Sequence, residues 1–235
     1  MLRIEDQDPI SLGTAIKDRY PKKPVILLAF DEVELKQLSD VITPKSIDRA
    51  FIWAGDASVF PAIIKYIEDR KNAKQDISKG DVRSILVIED SPKMYSILLP
   101  LIYKEIMYQI KNLVNRKLSQ SSRLLHLRAR PKVLLTPNYE TAQRFFKRYR
   151  DNMIGIISDV RFPKNRAKYS EAGLEFAKWV RKYDQSIPII LQSTKKENIR
   201  MVKEVNADFL HKSSNTLLND LRGFMVQNFG FGDFI

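Results

Sequence analysis

The sequence predicts an α/β protein with a parallel sheet. Short apolar runs alternate along the chain with segments of helical periodicity, an order that right-handed crossover connections produce. Most of the runs are apolar throughout, which is typical of parallel strands that helices cover on both faces. The predicted strands, in chain order, are 24–30, 49–55, 84–89, 132–136, 154–158, 188–193 and 208–212.

Each predicted strand ends at polar or turn-forming residues. The helices predicted between and beside the strands are 11–20, 57–70, 92–118, 138–150, 171–183, 196–205 and 214–228. The apolar pattern that begins at Pro92 is longer than one sheet-covering helix needs. We therefore expect an extended first helix and hairpin over residues 92–131, whose far part packs on a partner unit.

Composition narrows the function classes. The 40 Lys and Arg residues outnumber the 28 Asp and Glu residues and give a net charge of +12, which favours anionic partners such as nucleic acid, phosphorylated ligands, acidic proteins or a membrane face. The absence of cysteine excludes disulfides and thiolate chemistry, and two histidines make a His-rich zinc site a poor expectation. No apolar run approaches the roughly 20 residues that span a bilayer. The N-terminus lacks the apolar core of a signal peptide, so we predict a cytoplasmic protein.

The chain is predicted to contain two related units. The polar stretch 70–83 is predicted to be a linker. The first unit carries KPVILLAF and AFIWAGD, which resemble IPIILQST and DFLHKSS in the second half of the second unit. We therefore predict a degenerate partial unit at 1–78 and a full domain at 79–235. The partial unit would have two strands only, and we expect it to be buried against the 92–131 hairpin or against a second chain.

Acidic and polar residues follow several of the predicted strands. Glu89 and Asp90 follow one strand, Asp159 ends another, and Ser193 and Lys212 end the last two. Because parallel strands present their carboxyl ends at one edge of a sheet, the three carboxylates are expected to converge there on a hard divalent cation, Mg²⁺. Each residue alone also has an ordinary explanation, as a helix cap, a turn acid or an exposed lysine. Their joint order favours a site.

This ordered set resembles the receiver domain of two-component response regulators over roughly residues 82–228. The resemblance is carried by ILVIED, ISDVRFP, IILQST and ADFLHKSS. It implies a flavodoxin-like, doubly wound parallel sheet of strand order 2-1-3-4-5. It also implies a phosphoprotein of a phosphorelay signalling pathway, which catalyses only its own phosphoryl transfer and dephosphorylation. The phosphoryl donor would be a histidine kinase or a phosphotransfer protein.

The resemblance also implies a role for each matching residue. Asp159 would be the phosphoacceptor. Asp90 would bind Mg²⁺ directly together with Asp159, Glu89 would act on the ion through water, and the backbone carbonyl of Arg161 would complete the protein ligands.

Three further residues receive roles from the same likeness. Lys212 would pair with the phosphoryl group or with Asp159, Ser193 would donate a hydrogen bond to a phosphoryl oxygen, and Phe209 would be the switch aromatic that moves inward with it. The sequence departs from the family pattern at Ser213, where a proline commonly follows the lysine. The gap between the metal-binding acids and the acceptor is also longer than usual by about 25 residues, and the excess lies in the first helix and hairpin.

The whole arrangement looks like the N-terminal part of bacterial proteins that join receiver-like modules to a phosphoenolpyruvate/pyruvate-binding domain similar to phosphoenolpyruvate synthase. FIWAGD, AIIKYIEDR, RARPK and FGFGDF carry this likeness. It implies a downstream phosphoenolpyruvate- or pyruvate-binding domain. A homodimer through residues 1–78 or the 92–131 hairpin is also expected, because a two-stranded unit leaves an apolar edge.

Two other functions stay open at this stage. The chain could be a regulatory interaction module of a phosphoenolpyruvate synthase-like protein in which the acidic pocket persists without phosphorylation. It could also be a basic nucleic-acid-binding protein, but no helix-turn-helix or RNA-recognition signature accompanies the charge, and a solvated basic face explains it better. We expect neither a membrane nor a nucleic acid as a partner. No glycine-rich nucleotide loop or serine-nucleophile motif supports another enzyme class.

Overall fold

The computed structural model describes residues 8–38, 42–114 and 130–230. These residues fall into two compact units. The first unit comprises the described residues up to Ile67 together with Ser91–Pro100. The second unit comprises Glu68–Asp90 together with the described residues from Leu101 onward. No helix in the described ranges combines the length and apolarity needed to cross a membrane.

The second unit is built on a five-stranded sheet. Its strands are β3 (Ser84–Ile88), β4 (Lys132–Thr136), β5 (Met153–Asp159), β8 (Ile189–Ser193) and β9 (Asp208–His211). They lie in the order β4-β3-β5-β8-β9, and all four neighbouring pairs are parallel. Counted within this unit, the order is 2-1-3-4-5, which confirms the predicted flavodoxin-like fold.

Helices alternate with these strands. They are α3 (Val59–Gly80), α4 (Pro92–Val114), α5 (Tyr139–Tyr149), α6 (Ala172–Arg181), α7 (Asn198–Glu204) and α8 (Leu217–Asn228). Asn138 is the N-cap of α5: its side chain accepts a hydrogen bond from the Thr141 amide at 2.9 Å. The apolar faces of α5 and α6 pack on the sheet through buried residues such as Phe146 and Val180.

A glycine on α6 determines how closely this helix approaches the functional end of the sheet. A Cβ atom on Gly173 would lie 2.2 Å from the carbonyl oxygen of Asp159 and 2.9 Å from the Val160 Cα. The Gly173 amide instead donates a hydrogen bond to the Val160 carbonyl at 2.9 Å. The start of α6 is therefore held against the end of β5, where it fixes the backbone that carries Asp159.

A β-hairpin that the sequence pattern did not predict follows β5. It consists of the antiparallel strands β6 (Phe162–Lys164) and β7 (Ala167–Tyr169). The two residues between them, Asn165 and Arg166, have φ angles of 51° and 66°, the values of a type I′ hairpin turn. Phe162 is fully buried and stacks on Tyr139 with ring centroids 6.4 Å apart, which attaches the hairpin to the core.

The predicted linker at 70–83 is wrong for most of its length, because α3 continues to Gly80. Ala73 and Ile77, which are four residues apart, are buried in the core of the second unit, and Asp76 forms a salt bridge with Lys132 at 2.8 Å. The polar composition of the segment therefore reflects the outer face of a helix. Asp81, at a φ of 51°, ends that helix.

The first unit contains a two-stranded parallel sheet, as predicted. Strands β1 (Ile26–Ala29) and β2 (Arg49–Ile52) pair in parallel, accompanied by α1 (Pro9–Arg19) and α2 (Glu32–Leu38). The first residues of α4 belong to this unit and pack on β2: the Ile52 amide donates to the Ser96 Oγ at 2.9 Å, and the Tyr95 hydroxyl donates to the Ala50 carbonyl. The start of α4 thus contributes to the first unit, while the expected burial of that unit against the 92–131 hairpin or a second chain stays a prediction. Residues 115–129 of the predicted hairpin lie outside the described residues.

Candidate functional site

The carboxyl edge of the five-stranded sheet gathers the polar residues that follow its strands. Glu89 and Asp90 come directly after β3, Asp159 is the last residue of β5, Ser193 ends β8, and Lys212 follows β9. From β3 the chain crosses to β4 on one side of it and then returns to β5 on its other side. This is the topological switch point at which ligands bind in doubly wound sheets.

Three carboxylates form an acidic cluster at this edge. Glu89, Asp90 and Asp159 each place one oxygen within 4.8 Å of the oxygens of the other two. The Glu89 side chain is 0% exposed, whereas those of Asp159 and Asp90 are 13% and 15% exposed. Like charges this close and this poorly hydrated repel each other strongly, so the cluster needs positive charge in contact with it.

Lys212 supplies one positive charge from within the protein. Its Nζ donates hydrogen bonds to Glu89 Oε2 at 2.8 Å and to Asp159 Oδ2 at 2.6 Å, and its side chain is only 9% exposed. Burial by itself would lower the pKa of Lys212, but the charges of Glu89 and Asp159 outweigh that effect and raise the pKa above its ordinary value. Lys212 is therefore a permanent cation at neutral pH.

Gln192 contacts the same Glu89 oxygen as Lys212, and the sequence pattern did not identify it as a site residue. Its Nε2 donates to Glu89 Oε2 at 3.0 Å, and it lies opposite Asp159 in the β5–β8 register. Its Oε1 is buried and has no hydrogen-bond partner among the described residues. The sequence signal was weak: Gln192 is a polar residue that follows three apolar residues of the strand, and the structure shows it fully buried.

A second lysine reaches the cluster from the hairpin. The Lys168 Nζ lies 3.0 Å from Asp90 Oδ2. Counting only the three carboxylates and the two lysines, the cluster keeps one net negative charge. No sequence signal marked Lys168, because a lysine in a polar loop segment is ordinary and its reach depends on a hairpin that was not predicted.

Three further residues implied by the resemblance, Ser193, Phe209 and Arg161, have different surroundings. The Ser193 hydroxyl oxygen accepts hydrogen bonds from the Lys195 amide at 3.1 Å and from Asn198 Nδ2 at 2.8 Å. Phe209 lies on β9, partly buried against the main core. Arg161 is exposed in the two-residue turn between β5 and β6. Their roles stay predictions.

The donor set at this edge fits a hard divalent cation. Carboxylate oxygens from Glu89, Asp90 and Asp159 are the ligands that Mg²⁺ and Mn²⁺ prefer, and these oxygens lie close enough together to share one ion. The net negative charge that the two lysines leave uncompensated favours the same kind of ligand.

Among known proteins, matches to this chain are found with solved structures. No family model matches the chain, and no curated protein matches it. A response regulator receiver domain protein from Clostridium thermocellum is 16% identical, with 63% of this chain and 94% of that chain covered and a TM-score of 0.44. The chemotaxis response regulator CheY4 of Vibrio cholerae is 23% identical, with 61% and 98% covered and a TM-score of 0.38.

A third similar structure carries ligands. It is the receiver domain of the histidine kinase CKI1 from Arabidopsis thaliana, complexed with Mg²⁺ and BeF₃⁻. It is 19% identical, with 66% of this chain and 96% of that chain covered and a TM-score of 0.33. The three structures named here are described as response regulators or receiver domains. Identities of this size do not transfer a residue's role to this chain.

Proposed function

We propose that the second unit is a phosphoacceptor receiver domain, in which Asp159 accepts a phosphoryl group in the presence of Mg²⁺. The observation that carries the proposal is the convergence of Glu89, Asp90 and Asp159 at the carboxyl edge of a sheet of order 2-1-3-4-5, where Lys212 pairs with the first and the last of them. A buried, partly compensated acidic cluster is costly to fold, which supports its use as a binding site.

Asp159 would act as the nucleophile. Its carboxylate oxygen forms the new P–O bond while the P–N bond of a phosphohistidine donor breaks and the imidazole leaves with the bonding electrons. Asp90, Asp159 and the Arg161 carbonyl would hold the cation directly, and Glu89 would hold it through water. When bound, the cation neutralises the charge on the phosphoryl oxygens.

Lys212 would stabilise both states of the acceptor. Its ammonium group already contacts Asp159 Oδ2, so it lies within reach of a phosphoryl group attached to that carboxylate. Because its pKa is raised, it keeps its charge throughout the transfer. Ser193 would donate its hydroxyl proton to a phosphoryl oxygen, and Phe209 on the neighbouring strand would move inward with it, which changes the surface around α7 and β9.

The signalling context is part of the same proposal. A histidine kinase or a phosphotransfer protein in the cytoplasm would supply the phosphoryl group. The state of Asp159 would regulate a partner or an attached domain, such as one that binds phosphoenolpyruvate or pyruvate. A homodimer through residues 1–78 or 92–131 would pass the same state between chains.

The proposal is tested by phosphorylating the chain with a small acyl phosphate in millimolar Mg²⁺. Mass spectrometry after borohydride trapping should locate the label on Asp159, and removal of the cation with a chelator should abolish labelling. Asp159→Asn is the control. An unlabelled chain, or equal labelling of Asp159→Asn, would favour the alternative of an interaction module that works without phosphorylation.

A further inference from the structure

The hairpin β6–β7 brings a lysine to the acidic cluster from outside the five-stranded sheet. The Lys168 Nζ lies 3.0 Å from Asp90 Oδ2, and the side chain is 51% exposed. The partner Asp90 is one of the three residues suited to hold a divalent cation. The contact therefore places a cation of the protein itself on one of the metal ligands.

The hairpin is anchored on the side that faces away from Asp90. Lys164 forms a salt bridge with Glu175, and the Tyr169 hydroxyl donates to Glu175 Oε1 at 3.1 Å. Successive side chains of a strand point to opposite faces. With Tyr169 directed toward Glu175 on α6, its neighbour Lys168 is directed the other way, toward Asp90.

The turn of the hairpin is fixed as well. The Asn165 amide donates to Glu140 Oε1 at 2.7 Å, and Phe162 at the base is buried in the core. The backbone that carries Lys168 is thus held at its base, its turn and its second strand. The lysine is left with only side-chain freedom between Asp90 and water.

The two lysines of the cluster differ in how easily they can leave it. Lys212 is 9% exposed and bonded to two carboxylates, whereas Lys168 contacts one carboxylate and half of its side chain is in solvent. Moving Lys212 away would leave two buried carboxylates without their cation, which is costly. The half-exposed Lys168 can turn into water at little cost. Of these two, Lys168 is the displaceable one.

We propose that Lys168 is a tethered competitor for the metal site, which occupies Asp90 until a divalent cation displaces it. The hairpin thereby sets the cation concentration at which Asp159 can accept a phosphoryl group. The inference rests on the proposed receiver function. It adds to that function a positioning residue that tunes cation affinity without touching the acceptor.

Electrostatic repulsion determines whether removal of Lys168 strengthens or weakens cation binding. A divalent cation bound to Asp90 repels an ammonium group on the same carboxylate, so the two do not share it at full strength. Removing the lysine removes both the competition and the repulsion. From the strength of exposed ion pairs and the double charge of the incoming ion, we expect the dissociation constant to fall about threefold to tenfold.

The experiment measures Mn²⁺ binding to the full chain by the electron paramagnetic resonance signal of free Mn²⁺. Lys168→Met should bind Mn²⁺ about threefold to tenfold more tightly than wild type, and Lys168→Arg should stay within about twofold of it. Lys203→Met is the matched control, because it removes the same charge from an exposed position in the last turn of α7, next to the amino ends of the strands. It should leave the affinity unchanged.

Several results would overturn the inference. Equal affinities of Lys168→Met and wild type would show that Lys168 does not compete, and equal tightening by Lys203→Met would assign the effect to net charge. If these chains bind Mn²⁺ equally and Asp159 is still labelled, only the inference fails. If neither wild type nor Lys168→Met binds Mn²⁺, the inference and the proposed function fail together.

Discussion

Replacing Lys212 by methionine removes the ammonium group that lies between Glu89 and Asp159 and keeps most of the aliphatic stem. The variant leaves a fully buried glutamate and a mostly buried aspartate without their common cation. Removing one partner of a buried ion pair costs about 3–5 kcal/mol. Because some water reaches both Lys212 and Asp159, we expect a loss of about 3 kcal/mol in the free energy of unfolding, at the lower end of that range.

The assay uses the fluorescence of Trp179, since each unit contains one of the two tryptophans and Trp53 in the first unit can be replaced. Trp179 on α6 packs against Phe146 and Phe176, so its fluorescence reports the packing of the second unit. In a Trp53→Phe background, urea unfolding of Lys212→Met is compared with that of Lys203→Met, which removes the same charge from an exposed site. A loss below about 1 kcal/mol, no greater than that expected of an exposed ion pair, would refute the view that Lys212 holds the cluster together.

Three further predictions follow from the same geometry. Gly173→Ala should destabilise the second unit by about 1–3 kcal/mol and slow the labelling of Asp159, because the added Cβ would lie 2.2 Å from the Asp159 carbonyl oxygen. Urea unfolding and labelling rates measure the two effects, and a variant with unchanged stability and labelling rate would contradict the prediction. Arg130→Met should lower the free energy of unfolding by about 3–5 kcal/mol, since it leaves the buried Asp69 without the guanidinium group 2.7 Å away. Thermal unfolding measures the loss, and a fall in Tm of only about one degree would count against a stabilising buried ion pair. The pKa of Lys212 is raised above its ordinary 10.5, so the stability that its charge contributes is complete below pH 10.5 and is lost as the pH rises through the raised pKa. The difference in unfolding free energy between wild type and Lys212→Met should therefore hold from neutral pH to about 10 and shrink above it. A difference that already shrinks below about pH 9 would contradict this assignment.

The sheet and the acidic cluster could be predicted because their signals are local in the chain. Apolar runs marked the five strands of the second unit, and the residue after each run marked the carboxyl edge. Parallel topology then brings Glu89, Asp90, Asp159 and Lys212 to one place regardless of how far apart they lie in the sequence.

The parts that could not be predicted depend on contacts between distant segments. The 70–83 segment is helical because Ala73 and Ile77 find a buried surface and Asp76 finds Lys132, none of which polar composition reveals. The hairpin depends on Phe162 stacking on Tyr139 from α5. The positions of Lys168 and Gln192 beside the cluster follow from those tertiary arrangements, so sequence spacing carried no information about the first and only a weak polar signal for the second.

Mg²⁺-dependent binding of beryllofluoride tests the central claim most directly. Beryllofluoride stands in for the phosphoryl group, so a chain with a functional acceptor should give bound ¹⁹F resonances only when Mg²⁺ and fluoride-complexed beryllium are present together. Asp159→Asn should give none, while Lys203→Met should behave as wild type. Absence of bound resonances from the wild-type chain at millimolar Mg²⁺, or their persistence in Asp159→Asn, would contradict the account.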